Sequence, residues 1–434
     1  MILNPRLQRE GFATGPSLSI IMLVATMAGL AFATPSWAES SGNTVLDALV
    51  YDAKIGADLR YRYENVDDDH FTKEAHASTL RTKLRYKTGK VAGISLNFEL
   101  ENIVYLGKEK FNNTVNGVSD RPIVADPNIT EVNHLYVSYT GLDKTTITFG
   151  RQPLKVDNQR FFGGAAWRQN DQTFDSVVFN SEIFHNLTLT YAYVWNVNRV
   201  NGGDHPLGDL STDTHAIDAS YKLPVGKLAL YSYFVDLNDA AVVGLSSKTF
   251  GVRFSGKQTI ADDMKLHYRL EYAKQFDHGD NPDDYKANYF ALEAGIKIAG
   301  IGGGDVIAKG GYEILGSGND GTAPFRTPLA GLHKFNGWAD RFLATPGAGL
   351  QDVYGSIGYR FNDKQGLLKG TRLVFAYHDF SSDYGHSAYG TEWNFLIAKK
   401  LSRHFSLLVK LASYNANSFS MDTKKIWVQL GASF

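Results

Sequence analysis

Between Leu80 and Lys87 the chain reads Leu-Arg-Thr-Lys-Leu-Arg-Tyr-Lys. Successive side chains of an extended strand point to opposite faces. Arg81, Lys83, Arg85 and Lys87 therefore share one face, and Leu80, Thr82, Leu84 and Tyr86 the other. Such a strand needs an apolar medium on one side and water or counter-charge on the other. A soluble sheet meets this by packing its apolar face on a core. A transmembrane barrel meets it by turning that face to lipid and the charged face to a wet lumen.

The alternation is not confined to this stretch. Ala53, Ile55, Ala57, Leu59, Tyr61 and Tyr63 alternate with Lys54, Asp58, Arg60, Arg62 and Glu64, giving a first strand before a polar loop from Asn65 to Glu74. Ile94, Leu96, Phe98 and Leu100 alternate with Ser95, Asn97, Glu99 and Glu101. Leu187, Leu189, Tyr191, Tyr193 and Trp195 form an aromatic-rich apolar face, as expected of a lipid-facing band with interfacial girdles. The whole chain divides into about eighteen such runs of roughly ten residues, with sixteen as the other even count. Connections alternate between short, as at 140–144, 222–227 and 299–304, and long, as at 107–129, 150–173, 198–213 and 316–350. A sandwich does not segregate loop lengths and a propeller shows a blade repeat. The pattern predicts an all-β protein, a transmembrane antiparallel up-and-down β-barrel.

Composition removes other classes. The 434 residues include no cysteine, which excludes a disulfide framework and thiolate chemistry, and the formal net charge of -1 argues against bulk electrostatic binding of nucleic acid. Arg6 and Arg9, the apolar run from Leu18 to Ala33 and Ser36-Trp37-Ala38 read as a signal peptide over residues 1–38, leaving 39–434 as the barrel. That run is shorter than the ~20 residues a helical span needs, so any membrane crossing is by strands. Ile426, Val428, Leu430, Ala432 and Phe434 share one face of the last strand. A terminal aromatic in this setting resembles the C-terminal signal of bacterial outer-membrane proteins, which places the chain in that membrane.

The charged faces carry the functional signal. Parity sends Arg60, Arg62, Arg81, Lys83, Arg85, Lys87, Arg253 and Arg269 into the lumen, together with Lys265, His267 and Arg372. Asp58, Glu64, Glu99, Glu101, Glu271, Glu293 and Glu313 face inward too, so cross-strand ion pairs neutralise part of the charge. Cations two residues apart on a strand stand roughly 7 Å apart. An anion can pass along such a ladder, because conduction requires favourable but replaceable binding. The segment Gly150 to Asp175 adds Arg151, Arg160 and Arg168 beside Phe161, Phe162 and Trp167, and Thr327 to Tyr359 adds Arg341. Long aromatic loops of this kind are expected to fold into the barrel mouth as a constriction or cap. These twelve cations, Arg60 through Arg341, form the candidate substrate-binding set.

The motifs GRQ, DNQRF, WRQN and TFD at 150–175, HKFNGWADRFL at 333–343 and YGTEW at 389–393 resemble the alginate export family of outer-membrane barrels. The resemblance implies an eighteen-stranded monomeric barrel whose electropositive pore passes anionic polysaccharide. The expected function is an outer-membrane channel for an alginate-like polyuronate, gated by the long loops. The alternative is an uptake porin for small organic anions such as sugar acids or aromatic acids. A soluble secreted carbohydrate-binding or lyase domain is the reading from a different class. Expected partners are the cargo anion, outer-membrane lipid and lipopolysaccharide, and periplasmic export proteins, with no nucleic acid. No catalytic constellation, metal site or cofactor motif is legible: His267 and His378 read as lumen or interface residues, Asp67, Asp68 and Asp69 beside His70 as a solvated acidic loop, and Gly302-Gly303-Gly304 as a turn.

Overall fold

The computed structural model describes residues 44–318, 321–362 and 366–434; the expected signal peptide at 1–38 lies outside them. Eighteen strands make one sheet. They are β1 (Lys54–Asp68), β2 (Ala75–Lys87), β3 (Ile94–Tyr105), β4 (Ile129–Leu142), β5 (Thr145–Gln152) and β6 (Thr173–Ser181). Then come β7 (Leu187–Asn198), β8 (Asp209–Leu223), β9 (Gly226–Val235), β10 (Ser247–Ala261), β11 (Met264–Asp277) and β12 (Lys286–Ile301). The last are β13 (Gly304–Leu315), β14 (Leu350–Phe361), β15 (Arg372–Ser381), β16 (Ala388–Lys400), β17 (Phe405–Ala416) and β18 (Thr423–Ser433). Each strand pairs antiparallel with the next, and β18 returns to β1 with Asp58 opposite Ser433, so the sheet closes with no free edge.

Register keeps like against like. Leu59 stands opposite Thr82, Tyr61 opposite Leu80 and Arg60 opposite Arg81, so a one-residue slip would exchange the two faces completely. The outward set is apolar and open: Ile55 is 69% exposed, Phe149 60%, Leu230 59% and Ile357 54%. The inward set is polar and buried, with Arg62 and Glu101 at 0% and Glu271 at 1%. This inverts a soluble protein. Only a lipid-facing exterior accounts for it.

Connections segregate by end. Those at 224–225, 262–263 and 302–303 are tight turns at one rim, whereas 106–128, 153–172 and 316–349 lie at the other. In outer-membrane barrels the short-turn rim is periplasmic. The expected loop from Asn65 to Glu74 is shorter than the composition suggests, because β1 runs on to Asp68. Val66 packs there with Ala75, Ala77, Phe111 and Val124, and Asp68 binds Arg341 at 2.5 Å rather than facing solvent.

Candidate functional site

The long connections at 153–172 and 321–349 turn into the barrel and fill its middle. Phe161 and Phe162 pack on Tyr231 and Tyr233 of β9, and Phe161 also meets Tyr289 of β12 and Phe325. The loops bind each other as well: the Gly163 N–H donates to the Leu329 carbonyl and the Gly331 N–H to that of Gln159, at 2.9 and 3.0 Å. A Cβ at Gly163 would sit 2.6 Å from the Gly331 nitrogen, so this crossing requires glycine. Near 337–339 the second loop is held by Glu392 of β16, whose carboxylate accepts the Trp338 and Ala339 N–H groups.

The opening stretch is paired along most of its length. Arg81 binds Asp58 at 2.6 Å, Arg85 binds Glu99 at 2.6 Å, and the Lys83 ammonium lies 2.5 Å from Asp171, 2.8 Å from Glu101 and 3.0 Å from Glu99. Those three carboxylates converge closely enough to suit a metal ion. Lys83 occupies the position between them and supplies the cation itself. A buried charge is tolerated when it is paired and hydrogen-bonded, and Asp171 brings the first loop onto this wall. Across the lumen Arg253 binds Asp218 at 2.9 Å and Asp157 at 3.3 Å, while Arg269 binds Asp157 at 2.6 Å and also Glu271. Burial would raise the Asp157 carboxyl, but Arg269 and Arg253 hold it below its ordinary value. Arg160 binds Glu313 at 3.0 Å and Asn336 at 3.0 Å, and Arg168 binds Glu64.

Arg60 and Arg62 differ, since no carboxylate pairs with either among the described residues. Arg60 donates to the Gln169 side chain at 2.8 Å and to the Ala166 and Arg168 carbonyls. Arg62 donates to Gln429 at 2.8 Å and lies 4.2 Å from the centre of the Trp167 ring. Lys410 of β17 joins this cluster, its ammonium 4.1 Å from the Trp167 ring and 3.9 Å from that of Trp338. His333 stacks on Trp167 at 4.4 Å. Lys410 Nζ lies 2.6 Å from His333 Nε2, which therefore accepts, and His333 Nδ1–H donates to Asp340 at 2.6 Å. Asp340 also binds Lys425 at 2.9 Å. Burial, helped by Lys410 and opposed by Asp340, pushes the His333 imidazole down to about 3, so it is neutral here.

The remaining candidates separate. Lys87 is exposed at the periplasmic rim. Arg341 ties the second loop to Asp68. Arg151 is a correction: it lies in β5 with the outward parity of Phe149, opposite Leu135, and pairs with Asp175 at 2.8 Å, so it is not part of a loop in the mouth. The reason is that the strand alternation continues through Gly150 to Gln152. Lys410 went unread because one lysine among Leu407, Leu408, Val409, Leu411 and Ala412 is a faint signal, although its inward parity was available.

The periplasmic rim carries a further set. Lys222, Lys227 and Lys257 line one recess, Lys265 stands opposite Lys297, and Lys87 and Arg372 share the inward parity of their strands. Lys297 is paired with Asp305 at 2.6 Å. Among the described residues, Lys87, Lys222, Lys227, Lys257, Lys265 and Arg372 form no ion pair.

A closed, lipid-belted barrel of eighteen strands with loops folded into a charged lumen defines a channel of the bacterial outer membrane. Residues 51–312 match the alginate export family, and the chain belongs to it. Among solved structures, OccAB4 of Acinetobacter baumannii is similar at 17% identity and TM-score 0.65, over 88% of this chain and 98% of its own. OccAB2 of the same organism aligns at 14% identity and TM-score 0.67, over 89% and 99%. OpdK of Pseudomonas aeruginosa, solved with vanillate, aligns at 17% and 0.65, over 89% and 99%. At these identities the likeness is one of fold. No curated protein matches.

Proposed function

We propose that this chain is a monomeric channel passing anionic carbohydrate of the polyuronate class. The observation that carries the reading is the sorting of charge: a nearly neutral chain places, among the described residues, at least six inward cations without ion pairs at its periplasmic rim. A ring of one sign raises the local concentration of the opposite charge and sets the sign of the permeant. Deeper in, cations and carboxylates are paired, which favours weak, replaceable contacts over tight capture. Membership of the alginate export family supports a polymeric cargo. Small organic anions are the second reading, favoured by the fold shared with OpdK, whose structure holds vanillate.

Planar-bilayer recordings of the refolded barrel across a salt gradient test this. Wild type should be anion-selective and blocked by polyuronate, and Lys222→Gln/Lys257→Gln/Lys265→Gln should move the reversal potential toward zero. A cation-selective wild type would sink the proposal. Block by small organic acids with indifference to polymer would transfer the function to the second reading.

A further inference from the structure

Beneath the first loop, on its periplasmic side, is a cavity of about 360 Å³. Its wall comes from β4 to β10, and its roof is residues 153–157. Hydroxyls and amides predominate in the wall, with Asp218, Lys227 and Arg253 as its charged groups. Asn180, Thr190 and Asp218 form one row across β6, β7 and β8, and Thr188 and Ser220 form the next. Neighbours in such rows stand about 5 Å apart, within the span of one pyranose ring.

Internal bonds leave part of this set open. Thr190 donates to the Asn180 carbonyl at 2.8 Å and Ser220 to Asp218 at 2.7 Å, and among the described residues the Asn180 amide hydrogens meet no acceptor. Among the described residues, the side chains of Thr188, Lys155 and Lys227 make no hydrogen bond or ion pair. The two carboxylates that also line the cavity, Asp157 and Asp218, are both held by Arg253. Lys155 in the roof and Lys227 in the wall are therefore the uncommitted charges, and both are positive. Tyr136 and Pro153 add apolar surface against which the C–H face of a sugar can lie.

We propose that this cavity is a subsite for a single hexuronate residue, with its carboxylate on Lys155 and Lys227 and its hydroxyls on Thr188, Thr190 and Asn180. This rests on the polyuronate reading above and adds a place where the sugar is read as a sugar. A small-molecule site of roughly this size falls at the lower end of the usual ~300–1,000 Å³, which suits one ring. Polar groups that hydrogen-bond a substrate hydroxyl discriminate against analogues that lack it.

The test uses the full barrel in planar bilayers with D-glucuronate, acetate or D-glucose added on the periplasmic side. Glucuronate should block at a concentration at least tenfold below either of the others. Thr188→Val/Thr190→Val should weaken glucuronate block about tenfold and leave acetate unchanged, Lys227→Gln should weaken block by both acids, and Thr188→Ser/Thr190→Ser should restore the wild-type value. Heat-dependent electrophoretic mobility reports whether each variant forms a barrel. Equal block by acetate or glucose, or a valine variant that behaves as wild type, overturns the subsite. If wild type is still anion-selective and blocked by polyuronate, only the subsite falls. If it is not, the polyuronate reading falls with it.

Discussion

Trp167→Ala tests whether the first loop is held in the lumen by the cluster around that ring. Trp167 stacks on His333, meets Trp427 edge-on at 5.6 Å, and has Arg62 and Lys410 within 4.2 Å of its centre. Removing a fully buried Trp costs about 3–5 kcal/mol; Trp167 is partly buried, which puts its loss near the lower end, about 3 kcal/mol, with two cation–π contacts of about 0.5–2 kcal/mol each forming part of that sum. At 1.4 kcal/mol per tenfold, docking of the loop should weaken by about two orders of magnitude. The barrel wall itself should survive, because Trp167 lies in a connection and not in a strand. Single-channel recording should show larger conductance with frequent transitions, and limited proteolysis should cut between 153 and 172 faster than in wild type. An unchanged conductance trace together with unchanged proteolysis would refute the argument that this ring fastens the loop.

Other consequences are equally open to measurement. Lys83→Met leaves Glu99, Glu101 and Asp171 without their shared ammonium; breaking a buried pair in this way should destabilise the folded barrel by about 3–5 kcal/mol, read from denaturant titration in liposomes, whereas a surface-like loss below about 1 kcal/mol would contradict the placement. Acid should loosen the loops through His333. Its folded value is depressed to about 3 against an ordinary value near 6.5, so the unfolded or undocked state binds the extra proton, and the docking energy is complete above about 6.5 and falls as pH drops toward 3. Channel flicker should therefore rise between pH 6.5 and 4 in wild type and change little with pH over that window in His333→Gln. A wild-type trace indifferent to pH would exclude His333 as the responsible group.

Much of the architecture was legible in the residues because a strand has period two. Once Leu80 to Lys87 is extended, the face of every side chain follows from parity, and the same rule correctly sends Arg253 and Glu271 into the lumen and Ile426 and Leu430 to the lipid face. The alternation of short and long connections likewise requires only counting. Strand ends were less secure, as β1 shows, because Asn65 to Asp68 look like a loop until Phe111 and Arg341 are seen to cover them.

Partnership was beyond the sequence. Parity places Arg60, Arg81 and Arg85 on one surface, yet Arg81 and Arg85 are neutralised by Asp58 and Glu99 while Arg60 is bound by uncharged groups of a loop 109 residues away. Lys410 meets His333 across 77 residues. Local geometry determines which way a side chain points, whereas what it meets depends on how separate segments pack inside the closed wall. The tertiary structure alone therefore decided which inward cations are spent on holding the loops and which, at the periplasmic rim, remain available to an anion.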